Sequence, residues 1–211
     1  MVHFGTSGWR GIIGRELTFR RARMVVQAMI ETLREGEEPV ERIVIGFDTR
    51  LLSEKFAGTA AQLIASNGIT AELVPRDVPS PVIASMVLER SAIAGITFTG
   101  SHNLPEYNGL KIYLADGILA PEEFTDRVER RFEALETTWN DTFLPHAELI
   151  DRYDPKPTYL ERLQNLIDWQ AIRESGLKLV VDPLFGSARE YLDHILLENE
   201  VQAHVIHNTR D

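Results

Sequence analysis

The sequence predicts an α/β fold: a three-layer α/β/α domain with a mixed, mostly parallel sheet, followed by the start of a second, similar domain. Three observations lead to this prediction. Stretches with a helical apolar period alternate with short β-branched runs over residues 18–98. Asp116-Gly117 then indicates a hairpin, which adds an antiparallel strand to the sheet. After a polar stretch that contains several prolines, the alternation resumes and continues to the last residues.

The predicted helices of the first domain begin and end at recognisable signals. Thr18 can cap a helix that runs to about Glu35 and carries an apolar stripe on one face. Ser53 opens a second helix, which Asn67-Gly68 closes in the manner of a C-terminal cap. Ser80-Pro81 begins a third, because proline is well tolerated at the first helical position.

Short runs rich in β-branched residues lie between these helices and are predicted to be buried strands. They cover residues 42–47, 69–74 and 92–98. The next runs, 110–115 and 118–120, flank the Asp116-Gly117 turn, and Pro121 opens another helix.

The periodicity fades over residues 140–157, where Pro145, Pro155 and Pro157 punctuate a polar segment. We therefore expect a first domain at 1–139, a linker at 140–157 and an incomplete second domain at 158–211. The elements predicted for this second domain are a helix at 158–168, a strand at 177–181, a helix at 187–199 and a strand at 201–206. Because the chain stops directly after a strand, we expect it to be the N-terminal part of a longer protein.

Composition excludes several classes of site and partner. The chain has no cysteine, which excludes disulfides, thiolate metal sites and cysteine nucleophiles. Its formal net charge is −10 and no cluster of Lys and Arg stands out, which argues against a nucleic-acid partner. No apolar run approaches the roughly 18 residues of a membrane span, and the opening residues do not resemble a signal peptide. A cytoplasmic protein without a membrane partner is the expected class.

The segment most typical of a catalytic loop is TGSHNLPEYNGLK at residues 99–111, directly after a predicted buried strand. Open α/β sheets bind ligands at the carboxyl ends of their strands. Glycine and asparagine suit a tight loop that presents Ser101, while His102 and Lys111 can place positive charge beside it. Phosphoryl transfer depends mainly on such positioning and charge neutralisation. The alternative interpretation is a polar surface turn whose serine has no chemical role.

Two further segments are candidates for binding phosphate. FGTSGWRG at residues 4–11 has glycines that allow close backbone approach and an arginine, Arg10, that can bind a phosphate in bidentate fashion. Taken alone, the segment is more typical of a glycine-rich hairpin with an exposed arginine. GFDTR at residues 46–50 follows the second predicted strand, and Asp48 and Arg50 could instead form an ion pair in a turn.

Together these segments resemble the α-D-phosphohexomutase family, which includes phosphoglucomutases, phosphomannomutases and phosphoglucosamine mutases. Residues 99–111 resemble the family's serine loop, with Leu104 standing where the family usually has proline. Residues 4–11 and 46–50 resemble two further family motifs, in the family's order. The resemblance extends over essentially the whole chain, although the segment around Asp182 and Gly186 has low specificity.

The resemblance implies a mechanism and a set of site residues. Ser101 would carry the transferred phosphate and, through it, contact Mg²⁺, while Lys111 would act as general acid/base. His102 and Arg10 would complete the catalytic group. The residues implied to bind substrate or phosphate are Thr6, Ser7, Arg10, Asn103 and Arg50.

The implied reaction interconverts a hexose 1-phosphate and 6-phosphate through a bisphosphate, with a glucose 1,6-bisphosphate-type activator. In the family the other Mg²⁺ ligands and the sugar-selecting loop belong to later domains, so this chain is expected to be inactive alone. Which sugar is used is not readable here. Two alternatives stay open: a non-catalytic phosphate- or nucleotide-binding module, and a serine hydrolase, which lacks its usual elbow motif here.

Overall fold

The structure is a computed structural model that describes residues 2–144 and 146–210. Pro145, one of the three prolines of the predicted linker, lies outside the described residues, as do the terminal residues Met1 and Asp211. The chain forms two compact units, Met1–Tyr153 and Asp154–Asp211. None of the helices in the described ranges is both long and apolar enough to cross a membrane.

The first unit alternates helices and strands in the predicted manner. Its elements are β1 (Phe4–Gly5), β2 (Gly8–Ile12), α1 (Phe19–Leu33), β3 (Arg42–Phe47), α2 (Ser53–Ser66), β4 (Thr70–Leu73), α3 (Ser80–Glu89), β5 (Ala94–Phe98), β6 (Tyr107–Leu114), α4 (Glu122–Thr138), a 3-10 turn (Ala147–Leu149) and β7 (Ile150–Arg152). The predicted cap of α1 is confirmed, because the Thr18 hydroxyl accepts from the backbone N–H of Arg21 at 3.2 Å.

The sheet of the first unit has the strand order β1-β2-β6-β5-β3-β4-β7. Strands β5, β3, β4 and β7 pair in parallel, and β1, β2, β6 and β5 pair in antiparallel fashion. The α/β class and the mixed sheet are therefore as predicted. Strand β5 occupies the junction between the two halves, and its carboxyl end leads into the serine loop.

Helices cover both faces of this sheet. A Cβ atom added to Gly95 of β5 would lie 2.5 Å from Val87 of α3, so α3 packs closely on that face. Phe98, three residues later on β5, points to the other face and stacks on Phe56 of α2 at 5.9 Å between ring centroids. Helices α1, α2 and α4 pack together on that second face. This arrangement is the predicted α/β/α layering.

Two details of the first unit differ from the sequence prediction. The Asp116-Gly117 turn forms, with Gly117 at a φ of 74°, and the run after it returns along β6 with two backbone hydrogen bonds, from Leu114 N–H to the Ile118 carbonyl oxygen and from Ala120 N–H to the Ile112 carbonyl oxygen. This run forms an isolated bridge, Tyr113 to Leu119, and not a strand. On the side of β6 away from β5, the antiparallel neighbour is instead β2, which residues 4–11 supply as a hairpin with β1. Within the segment assigned to a linker, β7 extends the sheet beside β4.

The second unit contains α5 (Lys156–Leu166), α6 (Trp169–Glu174), β8 (Leu179–Val181), α7 (Leu192–Glu198) and β9 (Ala203–Val205). Strands β8 and β9 pair in parallel. The helix predicted at 187–199 is shorter than expected, because Glu190 has a φ of 63°, which a continuous α-helix excludes. Helix α6 was not predicted; the Asp168 carboxylate caps it by accepting from the N–H of Ala171.

Candidate active site

Strand register brings two of the three predicted motifs to one edge of the sheet. Phe47 at the end of β3 pairs with Phe98 at the end of β5, so Asp48 and Thr99 leave the sheet side by side. The N–H of Asp48 donates to the Phe98 carbonyl oxygen at 3.0 Å. Because β6 is antiparallel to β5, its first residue, Tyr107, starts at this same edge. Residues 99–106 therefore form a loop, the serine loop, that leaves β5 and returns into β6.

Ser101 occupies an exposed and conformationally unusual position in the serine loop. Its φ is 53°, in the left-handed region that non-glycine residues enter at a cost of about 1–3 kcal/mol. The Ser101 N–H donates to the Thr99 hydroxyl at 2.9 Å, and the Asn103 N–H donates to the Gly100 carbonyl oxygen at 3.1 Å. His102 is exposed beside Ser101. The loop thus holds its serine outward and adjacent to an imidazole.

Arg50 lies under the serine loop and binds its backbone. Its Nη1 donates to the carbonyl oxygens of Leu104 at 2.8 Å and Tyr107 at 3.0 Å. Its Nη2 donates to the carbonyl oxygens of Ser101 at 2.8 Å and of Asn103. The structure therefore shows Arg50 in contact with the loop backbone, whereas the sequence predicted a phosphate contact.

A buried polar chain connects the base of the serine loop to α2 and β3. The Asn108 side-chain amide donates to the Ser53 hydroxyl at 2.7 Å, and that hydroxyl donates to the Asp48 carboxylate at 2.6 Å. Ser53 and Asn108 are both fully buried. Such a satisfied internal network rigidifies the elements that it joins. The sequence predicted Ser53 only as the start of α2 and not as part of this network, although its position five residues after Asp48 was a usable signal.

Arg10 and Lys111 lie on one face of the sheet, on neighbouring strands. Arg10 of β2 pairs with Gly109 of β6, and Lys111 follows Gly109 by two residues. The side chains of Arg10 and Lys111 therefore point to the same side of the sheet. Lys111 also pairs with Thr97 of β5, the strand that leads into the serine loop. The hairpin that carries Arg10 and the strand that carries Lys111 are thereby joined directly to β5.

The environment of Lys111 favours the loss of its proton. Burial lowers the pKa of the Lys111 ammonium below its usual range, and the nearby positive charge of Arg10 lowers it further. The negative charge of Asp48 acts in the opposite direction and is the weaker influence. A lysine whose pKa is lowered in this way exchanges protons more readily near neutral pH, as a general acid/base requires.

The turn between β1 and β2 contains the remaining predicted phosphate-binding residues. Gly5 pairs with Gly8, which leaves Thr6 and Ser7 as the two turn residues. The Ser7 hydroxyl accepts from Nη2 of Arg10 at 3.0 Å, while Thr6 is exposed. Gly8 has a φ of 116°, and a Cβ there would approach the Leu110 carbonyl oxygen to 2.5 Å, so the turn requires glycine.

A magnesium site is not complete in the part of the chain that the structure describes. No group of three or more His, Cys, Asp or Glu side chains there is arranged to hold a metal ion. Mg²⁺ needs an octahedral set of oxygen ligands. Of the acidic residues at the serine loop, Asp48 is already engaged by Arg50 and Ser53, and the exposed Glu106 alone does not supply such a set. The described residues therefore do not fit Mg²⁺ by themselves.

Comparison with known proteins identifies relatives of this arrangement. The family described as phosphoglucomutase/phosphomannomutase, alpha/beta/alpha domain I, matches residues 1–139. A phosphoglucosamine mutase from Caldicellulosiruptor bescii is 30% identical over 215 residues, covering 99% of this chain and 46% of that protein. A phosphoglucomutase from Komagataeibacter xylinus is 29% identical, covering 97% of this chain and 40% of that protein. The chain thus spans about half the length of the curated relatives that it matches.

Solved structures of proteins in this family share the fold of this chain. A protein from Thermus thermophilus, provisionally assigned as a phosphomannomutase, superposes with a TM-score of 0.87 at 27% identity, over 100% of this chain and 46% of that one. A phosphoglucomutase/phosphomannomutase family protein from Burkholderia thailandensis superposes with a TM-score of 0.79 at 24% identity and shares the fold.

Proposed function

The chain belongs to the phosphoglucomutase/phosphomannomutase family, and we propose that it supplies the phosphate-carrying half of a phosphohexomutase. In this proposal Ser101 carries the phosphate that converts a hexose 1-phosphate into a hexose 6-phosphate and back. The whole protein is proposed to be an isomerase that uses a bisphosphate intermediate and a glucose 1,6-bisphosphate-type activator.

The observation that carries the proposal is the position of Ser101. An exposed serine in a left-handed backbone conformation lies on a loop at the carboxyl end of β5. The strand into which that loop returns, β6, carries Lys111, and its neighbour β2 carries Arg10; the charges of these two side chains interact. Strained backbone at an exposed loop is typical of functional sites, because folding alone does not reward it.

The phosphate is proposed to pass from Ser101 to the sugar and back in two transfer steps. A sugar hydroxyl attacks the phosphorus of phospho-Ser101, the bond from phosphorus to Oγ breaks, and the Lys111 ammonium gives a proton to the departing Oγ. The hydroxyl proton passes to solvent. After the bisphosphate reorients, Oγ attacks the phosphorus of the other phosphate and Lys111 takes the Oγ proton back. The bond from that phosphorus to the sugar oxygen breaks, and the sugar oxygen takes a proton from solvent to become a hydroxyl. Arg10 is proposed to bind the phosphoryl oxygens, together with Thr6 and Ser7 of its own motif and His102 and Asn103 of the serine loop.

Mg²⁺ would supply charge neutralisation for the moving phosphoryl group when it is bound. Ser101 is proposed to contact the metal through its phosphate. We propose that the remaining ligands come from outside residues 1–211, as does the selection of the sugar, and that the 211-residue chain alone is inactive.

The test is Ser101→Ala in the complete protein. Turnover of glucose or mannose 1-phosphate should fall to background, because the variant lacks the hydroxyl that carries the phosphate covalently. The intact mass should also lose the increment of one phosphoryl group, about 80 Da. Ser91→Ala is the matched control, since Ser91 is likewise exposed and has a φ of 48°.

Full turnover in the Ser101→Ala protein would refute the assignment. A wild-type protein that binds hexose phosphates but neither turns them over nor carries a phosphoryl group would indicate the non-catalytic binding module instead.

A further inference from the structure

We propose that Arg50 is a positioning residue that holds the serine loop in shape by gripping its carbonyl oxygens, and that it does not contact the substrate phosphate. The holding role rests on contacts within the chain alone. Its consequence for phosphoryl transfer rests on the proposed function.

The four Nη donors of the Arg50 guanidinium are all used by the protein. A guanidinium has five N–H donors in a fixed planar fork. Four of them are directed at carbonyl oxygens of the loop and its return strand, those of Ser101, Asn103, Leu104 and Tyr107. The nitrogen that carries the fifth, Nε, lies 3.6 Å from the Asp48 carboxylate. No Nη donor remains for a phosphate oxygen, and Nε faces a carboxylate.

Arg50 is itself fixed in place from below. Asp48 Oδ1 accepts from the backbone N–H of Arg50 at 3.0 Å and from the Ser53 hydroxyl at 2.6 Å. Asn108 then ties Ser53 to the start of β6. Asp48, which lies beside the guanidinium, is therefore connected through Ser53 at the start of α2 to Asn108 at the start of β6, and both of these residues are buried. A cation placed on such a base can fix a loop that has little core contact of its own.

The serine loop needs an external hold because its backbone is strained and its carbonyls converge. Ser101 is in the left-handed region, and four carbonyl dipoles point at one position. Without a cation there, those dipoles repel one another and Ser101 can relax to a more common conformation. Lysine cannot replace arginine here, because an ammonium is a point charge with three donors and lacks the planar fork.

The first test is amide hydrogen exchange on Arg50→Lys in the 211-residue chain, followed by NMR. We expect the amides of Ser101, Asn103 and Tyr107 to exchange at least about tenfold faster, while the amides of β5 keep their wild-type rates. Arg34→Lys is the matched control: Arg34 also donates to a backbone carbonyl oxygen, that of Asn67 at 2.9 Å, away from the loop. Its loop amides should be unchanged.

Unchanged loop exchange in Arg50→Lys would overturn the proposal. A uniform acceleration that includes β5, or failure of the variant to fold, would also overturn it, because Arg50 would then act on global stability and not on the loop.

The second test is the kinetics of Arg50→Lys in the complete protein. A positioning residue predicts a lower kcat with a nearly unchanged KM for the hexose phosphate. A higher KM with unchanged kcat would place Arg50 on the substrate and overturn the proposal. If the wild-type protein shows no mutase turnover, the proposed function fails, but the exchange experiment still decides whether Arg50 holds the loop.

Discussion

The serine loop after β5 and the turn after β8 are locally alike and differ in what supports them. Each follows the carboxyl end of a parallel strand, and each has non-glycine residues at positive φ: Ser101 in the first, Leu184 and Phe185 in the second. The serine loop is bound by Arg50 from beneath. The turn after β8 is bound by an arginine at fewer points, because Nη1 of the buried Arg189 donates to the carbonyl oxygens of Phe185 at 3.0 Å and Gly186 at 2.9 Å. At its surface the Asp182 carboxylate meets the His207 ring at 3.0 Å.

The strands that precede the two segments differ in how deeply they are buried. All five residues of β5 are buried, whereas β8 buries only its last residue, Val181, and leaves Val180 71% exposed. The comparison teaches that an arginine bound to the carbonyl oxygens of a strained turn does not by itself make a candidate active site. The serine loop differs because it presents an exposed serine next to strands that carry Arg10 and Lys111. The Asp182–His207 contact lowers the pKa of the Asp182 carboxyl, but it gathers no cations around an exposed nucleophile.

The largest expected effect is the loss of turnover when Lys111 is replaced. Lys111→Ala in the complete protein should lower kcat by about 10²- to 10⁴-fold, with a smaller effect on KM, because proton transfer at Oγ is lost. Lys178, which immediately precedes β8 and is exposed, provides the matched control: Lys178→Ala should leave turnover unchanged. A change confined to KM would make Lys111 a binding residue.

The second prediction compares the stability of the two units in the 211-residue chain. Amides of β8 and β9 should exchange at least about 100-fold faster than those of β3 and β5, because the described sheet of the second unit has two strands and exposes apolar side chains. Equal protection in both units would break the comparison. Protection of β8 that rises with protein concentration would show that a neighbouring chain covers this surface.

The smallest expected effect concerns Arg10. Because the positive charge of Arg10 lowers the pKa of Lys111, Arg10→Gln should raise that pKa and move the Lys111 limb of the pH–rate profile to higher pH. The shift should be less than about one pH unit, since burial is the larger cause and persists. Arg15→Gln is the control, because Arg15 is exposed and paired with Glu16. A limb that stays in place would show that another group titrates.

Much of the first unit was predictable because its signals are local. The Thr18 cap, the turn at Asp116-Gly117 and the β-branched runs each act within a few residues of themselves. The second unit was less predictable: the helix at 187–199 begins late because Glu190 takes a left-handed conformation, which no local signal indicates. The roles proposed for the site residues remain predictions.

The sequence by itself determined the α/β alternation, the exposed serine on a loop after a strand and the resemblance to a mutase family. The tertiary structure alone decided that β2 lies beside β6, which joins Arg10 to the Lys111 strand, and that Arg50 faces the carbonyl oxygens of the serine loop. The physical reason is range. Helix caps and strand runs depend on neighbours in the chain, whereas the partner of an arginine about 50 residues away depends on how the whole core packs.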